Sequence, residues 1–227
     1  MKSNKLCVLI SHFYVRRYED YKFDVLKYVL EHYRKQNSFI ILSAHGELKL
    51  PNDVVELIDD LYWEEQIDNR EIGRGHPKFC IKGYELAMKN GFSTILKHRA
   101  EDLILHENVK QFLDLKLGDK KLIISEQTSF DRRLMGDLFH YGSVEYMYNL
   151  WAYREWDYNY DGLKNLFANT VLFNNNDPEK ITKSILFSPV VAVKWVSVTD
   201  CWNYMTKSPK HLEHSFWGKN RYQYYGG

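Results

Sequence analysis

The feature that most restricts the fold is an alternation over the first 105 residues, in which short apolar runs take turns with longer amphipathic ones. The first run spans Leu6 to Ile10 and opens into a polar loop at Ser11 and His12; "SFIILSAHG", closed by Gly46, is the second. "DDLYW" forms a short third and "STILKHRAEDLIL" a fourth. Between them, "RRYEDYKFDVLKYVLEHYRKQ" sets Phe23, Val25, Leu26, Val29, Leu30 and Tyr33 at helical spacing. Pro51 to Asp60 reads as a short helix or turn, and "HPKFCIKGYELAMKNG" as a helix ended by the C-cap pair Asn90-Gly91. Strand, helix, strand, helix, strand predicts an α/β fold with a mostly parallel, Rossmann-like central sheet.

In such a sheet, ligands bind beyond the carboxyl ends of the strands. Ser11-His12, Ala44-His45 and the stretch from Arg99 to Asp102 all sit at predicted strand ends. Three polar clusters are therefore expected to face one crevice.

The second half is less regular. "KQFLDLK" reads as helix and "KKLIISEQ" as strand. "GDLFHYGSVEYMYNLWAYREW" starts as a glycine-flanked loop and becomes helix from about Ser143. "NNND" is a turn, "PEKITKSILF" a helix started by Pro178, and "VVAVKWVSVTDCWNY" one more β-rich segment. With no repeat, low-complexity tract or linker, the expected organisation is one domain over 1–227. Residues 1–105 form its ligand-binding α/β half, and 106–227 close over the crevice.

Composition narrows the classes. At 227 residues with net charge +1, the whole molecule is not a polyanion binder. Cys7, Cys80 and Cys201 form neither a zinc pattern nor a disulfide framework, which suits a reducing, cytoplasmic compartment. No run of about 18 apolar residues is present, so no transmembrane segment is expected and any membrane contact would be peripheral.

The chemistry is sought where strands end in charge. Glu101 and Asp102 are of the type that binds Mg²⁺ or Mn²⁺, hard cations that keep waters and substrate phosphates beside few protein carboxylates. Such an ion eases departure of a diphosphate, and Lys97 and Arg99 add compensating charge. The competing reading is a solvated charged turn. General acid/base work needs a second group, and Asp137 and His140 in "GDLFHYG" are the candidates. Against that stands a capped helix entry, with Ser143 as N-cap.

Four blocks in order, "FIILSAHGE", "HPKFCIKGYELAMKNG", "STILKHRAEDLIL" and "GDLFHYGSVEYMYNLW", resemble the WavE family of lipopolysaccharide-synthesis proteins, over roughly Val8 to Trp151. That resemblance implies a GT-A-like fold and a glycosyltransferase using a nucleotide-sugar donor and a glycan or lipid-linked acceptor. Lys97 and Arg99 match the basic pair before the family's acidic motif; Glu101 falls where the family has Asp, and Asp102 follows. Asp137 and Gly142 match the Asp and Gly of the later block. The sequence departs at Glu101, at His76-Pro77-Lys78 in place of Asn-Arg-Gln, and at His45 in place of a frequent Trp. The implied site has Ser11, His12, Lys97 and Arg99 near the donor, Glu101 and Asp102 on the metal, and Asp137 and His140 in catalysis.

The segment from Cys201 to Gly227 carries four basic side chains, Lys207, Lys210, Lys219 and Arg221, against Glu213 alone, interleaved with seven aromatic residues. It suits an acceptor sugar, a nucleic-acid base stacked between rings, or packing on the core. His211 and His214 are three apart, and a late histidine such as His214 often completes the metal site in GT-A-like enzymes; the competing reading is a surface histidine. Three functions follow: glycosyl transfer to a glycan or lipid-linked acceptor, glycosyl transfer to a modified DNA base, and carbohydrate or nucleotide binding without catalysis.

Overall fold

The computed structural model describes residues 4–15, 21–46, 49–64, 72–100, 102–129, 132–152, 185–188 and 195–197. In the first half, the strands are β1 (Cys7–Val15), β2 (Phe39–Gly46), β3 (Asp60–Glu64), β4 (Thr94–His98) and β5 (Asp102–Ile104). The helices between them are α1 (Tyr21–Arg34), α2 (Asn52–Val55) and α3 (Ile72–Lys89). Then come α4 (Val109–Leu117), β6 (Leu122–Ser129), β7 (Arg132–Ser143), α5 (Val144–Ala152), β8 (Ile185–Ser188) and β9 (Trp195–Ser197).

Seven strands form one sheet in the order β3-β2-β1-β4-β7-β6-β8, and β5 pairs with β9 in a second. β3, β2, β1 and β4 run parallel, as do β6 and β8. β7 is antiparallel to both its neighbours. The sheet is mostly parallel, and the pairing of β4 with β7 carries it across both halves of the chain.

Both faces of the sheet are covered, which is why its strands read as near-continuous apolar runs. Val8, Ile10, Ile40, Leu42 and Leu96 pack against the α1 stripe of Leu26, Val29, Leu30 and Tyr33 and against Leu113 of α4. Cys7, Leu9, Ile41 and Ile95 pack on the other face against Cys80, Tyr84 and Ala87 of α3 and Met147 of α5. α3 approaches so closely that a Cβ on Gly83 would stand 2.2 Å from a Leu9 methyl. Asn108 caps α4, its Oδ1 accepting from Gln111 N–H at 3.1 Å.

Four expectations are corrected. β1 does not open into a loop at Ser11 but runs to Val15. "STILKHRAEDLIL" is two strands in two sheets, because the chain leaves the main sheet after His98. The predicted loop around Asp137 and His140 belongs to strand β7: His140 is paired with both β4 and β6, and Asp137 lies at a break in the register with β6. The end of the predicted helix "PEKITKSILF" is strand β8, paired with β6. The capped helix entry is present: Ser143 Oγ accepts from Tyr146 N–H at 3.2 Å.

Candidate active site

The chain lays β2 and β3 on one side of β1, then returns with β4 on the other. This reversal of strand order makes a topological switch point between β1 and β4. Open parallel sheets bind ligands in the crevice at such a point. Ile10 is paired with His98, so the residues one step on, Ser11 within β1 and Arg99 just past the end of β4, stand at the same level. Ser11 is paired in turn with Ser43 of β2. The three predicted polar clusters thus reach the same pole of the sheet.

His12 is an extra residue. Ser11 is opposite Ser43 and Phe13 opposite Ala44, so the register slips at His12 in a β-bulge. Bulges bend a strand and re-aim side chains where a ladder opens towards a site.

Beneath the crevice, the α3 side of the sheet is polar. Alternation along each strand puts Ser11, Ser43, His45 and Lys97 on the face of Leu9, Ile41 and Ile95. His140, between Phe139 and Tyr141 of the opposite face, belongs there too, and its Cα is paired with that of Lys97. All five are buried. Ser43 Oγ donates to Phe79 O of α3 at 2.6 Å, and the His45 ring stacks on Phe79 at 4.8 Å. Burial lowers the His45 pKa to about 4, so its ring is neutral near pH 7. Lys97 was expected at the charged end of its strand and His140 on a loop; both are buried within strands, β4 and β7, with their Cα atoms paired.

His98 lies on the other face, also buried, with its ring 5.2 Å from that of Tyr33. Its Nδ1–H donates to Arg99 O at 2.7 Å, and burial lowers its pKa to about 4. Sequence reading missed Ser43, His98 and Tyr33. The signal for the first two is a polar residue inside an apolar strand; Tyr33 was read only as core.

Asp102 does not stand on a strand-ending loop. It is the first residue of β5, 2% exposed, opposite Ser197 of β9. Its N–H donates to Arg99 O at 3.2 Å, closing the turn between the two strands. Glu101 and His214, like the whole basic aromatic tail from Cys201, lie outside the described residues. Among the described residues no three His, Cys, Asp or Glu side chains gather as a metal site. Asp102 is the described carboxylate of the expected set, and one or two carboxylates are what Mg²⁺ or Mn²⁺ takes when phosphates complete its shell.

β7 runs against β4 and pairs Phe139 with His98, so the residues before Phe139 lie beyond the end of β4. Asp137 falls at a break in the β6–β7 register, where the pairs Ile124–His140 and Glu126–Met135 leave Gly136 to Phe139 opposite Ser125 alone. The antiparallel strand carries this stretch to the pole that holds Ser11 and Arg99. A separate open cavity of about 730 Å³, lined by Asn4, Lys35, Asn37 and Asn108 among others, lies at the opposite pole, where the strands begin.

No protein-family model matches the sequence, and no curated protein matches it. Among solved structures, the chain is similar to a glycosyltransferase involved in glycosylation of the major capsid of PBCV-1. That likeness has 12% identity, TM-score 0.52, and covers 88% of this chain and 99% of that one. It is also similar to 4-diphosphocytidyl-2C-methyl-D-erythritol synthase from Anaerococcus prevotii, at 12% identity and TM-score 0.53, covering 93% and 100%. At such identity the likeness is one of fold alone, α/β and GT-A-like. Among the described residues, no helix is long and apolar enough to cross a membrane.

Proposed function

We propose that this chain is a cytoplasmic glycosyltransferase that moves a sugar from a nucleotide-sugar donor to a glycan or lipid-linked acceptor. The observation that carries the reading is the register of β1 and β4, which brings Ser11 and Arg99 to one level at the switch point of the sheet. Two further points support it: a fold shared with a glycosyltransferase, and the WavE-like order of the sequence blocks.

In this reading the donor diphosphate lies past the end of β4, beside β1 at the level of Ser11 and the bulge at His12. Arg99 neutralises it from the rim, and Lys97 adds positive charge from the floor. Glu101 and Asp102 would hold Mn²⁺ or Mg²⁺, with His214 as a further ligand, and a bound ion would supply charge stabilisation for a departing nucleoside diphosphate. Asp137 takes the proton from the attacking acceptor hydroxyl, on the side away from the diphosphate, and His140 supports that pole from the floor. Residues 106–227 supply the acceptor side.

A thermal-shift screen of nucleotide sugars, with and without Mn²⁺, tests the proposal. A donor at 100 times its dissociation constant stabilises the native state by about 2.7 kcal/mol, which is roughly 5–10 °C for a chain of this size. A protein whose melting temperature no nucleotide sugar moves, with or without the metal, is not this enzyme.

A further inference from the structure

The backbone that carries the acidic motif is clasped by one helix that has no other part in the site. β5 pairs with β9 along one edge. Its other edge is covered by side chains of α1 instead of a strand. Ile104 N–H donates to Tyr33 Oη at 3.2 Å, in the buried interior. Ile104 C=O lies 3.0 Å from His32 Nε2, which donates to it. Two consecutive residues of a helix thus take both backbone groups of one strand residue, with their rings edge to face at 5.1 Å.

The same helix holds the chain on either side. Just past its last turn, Gln36 accepts from Val109 N–H at 2.9 Å and donates to His106 O at 3.1 Å. On the side towards β4, the Tyr33 ring packs on His98, which donates to Arg99 O, the carbonyl that also receives Asp102 N–H. Tyr33 therefore touches both ends of the segment bearing Arg99 and Asp102. Burial is the main cause of the raised Tyr33 pKa; the bond with Ile104 N–H opposes it and the Asp102 charge adds to it.

We propose that Tyr33 and His32 are positioning residues for the donor site: they set the place of Asp102 and Arg99 relative to the end of β1 without touching the ligand. This rests on the donor-site reading given above. β5 is three residues long, too short to hold its place by one ladder alone, and a surrogate edge on α1 supplies the second.

Tyr33→Phe removes the hydroxyl and keeps the ring on His98. His32→Leu removes the other donor, and His32→Gln restores an N–H at similar reach. Binding of UDP, GDP and CDP with Mn²⁺ is measured for each variant beside amide hydrogen exchange and urea stability. The net worth of one hydrogen bond is about five- to tenfold in an equilibrium. Tyr33→Phe and His32→Leu are expected to speed exchange at Leu103 to Leu105 and to weaken nucleotide binding by about that factor. His32→Gln is expected to recover the wild-type affinity. Faster local exchange with unchanged nucleotide affinity overturns the positioning role. Unchanged local exchange in both variants overturns the clasp itself. A wild-type protein that binds none of the three nucleotides overturns the donor-site reading, and the positioning role with it, before any variant is compared.

Discussion

Replacing Gly142 by alanine asks the middle of the sheet for room that it does not have. Gly142 lies on β7 between Ile95 of β4 and Leu122 of β6, at φ 154°. A Cβ there would stand 2.2 Å from Lys121 O and 2.9 Å from Leu122 Cα. Even a close carbon–oxygen contact settles at about 3.3–3.6 Å, so β6 must retreat by more than an ångström or β7 must turn. The obstacle is backbone, which no rotamer change relieves. That carbonyl also accepts Ser143 N–H at 3.0 Å, so either movement strains the bond that leads into α5. The unfavourable conformation costs about 1–3 kcal/mol, the overpacking about 1–3 kcal/mol, and one or two lost hydrogen bonds about 1 kcal/mol each. The total of roughly 3–8 kcal/mol compares with a whole stability of about 5–15 kcal/mol. Urea unfolding followed by circular dichroism measures it, with Gly118→Ala as control. Gly118 also has positive φ, 53°, but a Cβ placed there would meet nothing within 4 Å, so its substitution carries only the conformational cost. Gly142→Ala is expected to fall at least about 2 kcal/mol below Gly118→Ala. Equal midpoints for the two variants would refute the steric argument.

Gly83→Ala meets a side chain rather than backbone, Leu9 of β1. It is expected to cost about 1–3 kcal/mol of overpacking, partly offset by about 1 kcal/mol of helix propensity. In a Leu9→Ala background the same change should be neutral or stabilising, and a double-mutant cycle showing no coupling would remove the predicted contact. His45 and His98 both have native pKa values lowered to about 4 by burial, against about 6.5 when unfolded. The unfolded chain therefore binds up to two more protons between these values. Stability is full above the unfolded value and is lost as pH falls towards 4, by up to about 2.7 kcal/mol per pH unit; urea midpoints that stay level from pH 7 to 5 would contradict it. Asp137→Asn keeps size and hydrogen bonding but removes basicity, so nucleotide-sugar affinity should persist while transfer drops about 10²–10⁴-fold; near-normal transfer would exclude Asp137 as the base.

Local pattern was enough for the elements whose burial is set by their own residues. The α1 stripe from Phe23 to Tyr33, the β2 run closed by Gly46 and the Asn90-Gly91 stop of α3 were all legible, and Gly91 has the positive φ, 78°, that such a stop requires. So was the parallel α/β class, because apolar runs that alternate with amphipathic helices need cover on both faces. The sequence alone also marked Arg99 as a residue just past a strand end, whereas Ser11 lies within β1 and Asp102 begins β5. It did not separate strand from loop around Asp137. Gly136, Asp137, His140 and Gly142 carry ordinary loop signals, and the pairing of His140 and Gly142 with β4 and β6 draws the stretch into a strand, with Asp137 at a break in the β6 register. Nor did it show that Lys97 and His140 are buried within strands, with their Cα atoms paired. Which face a polar side chain takes depends on register, and register is set by neighbouring strands. Tyr33 carries no local sign of its hydrogen bond to Ile104, 71 residues away. That contact, like the common level of Ser11 and Arg99, exists because strand order and helix packing bring together groups that the chain keeps apart.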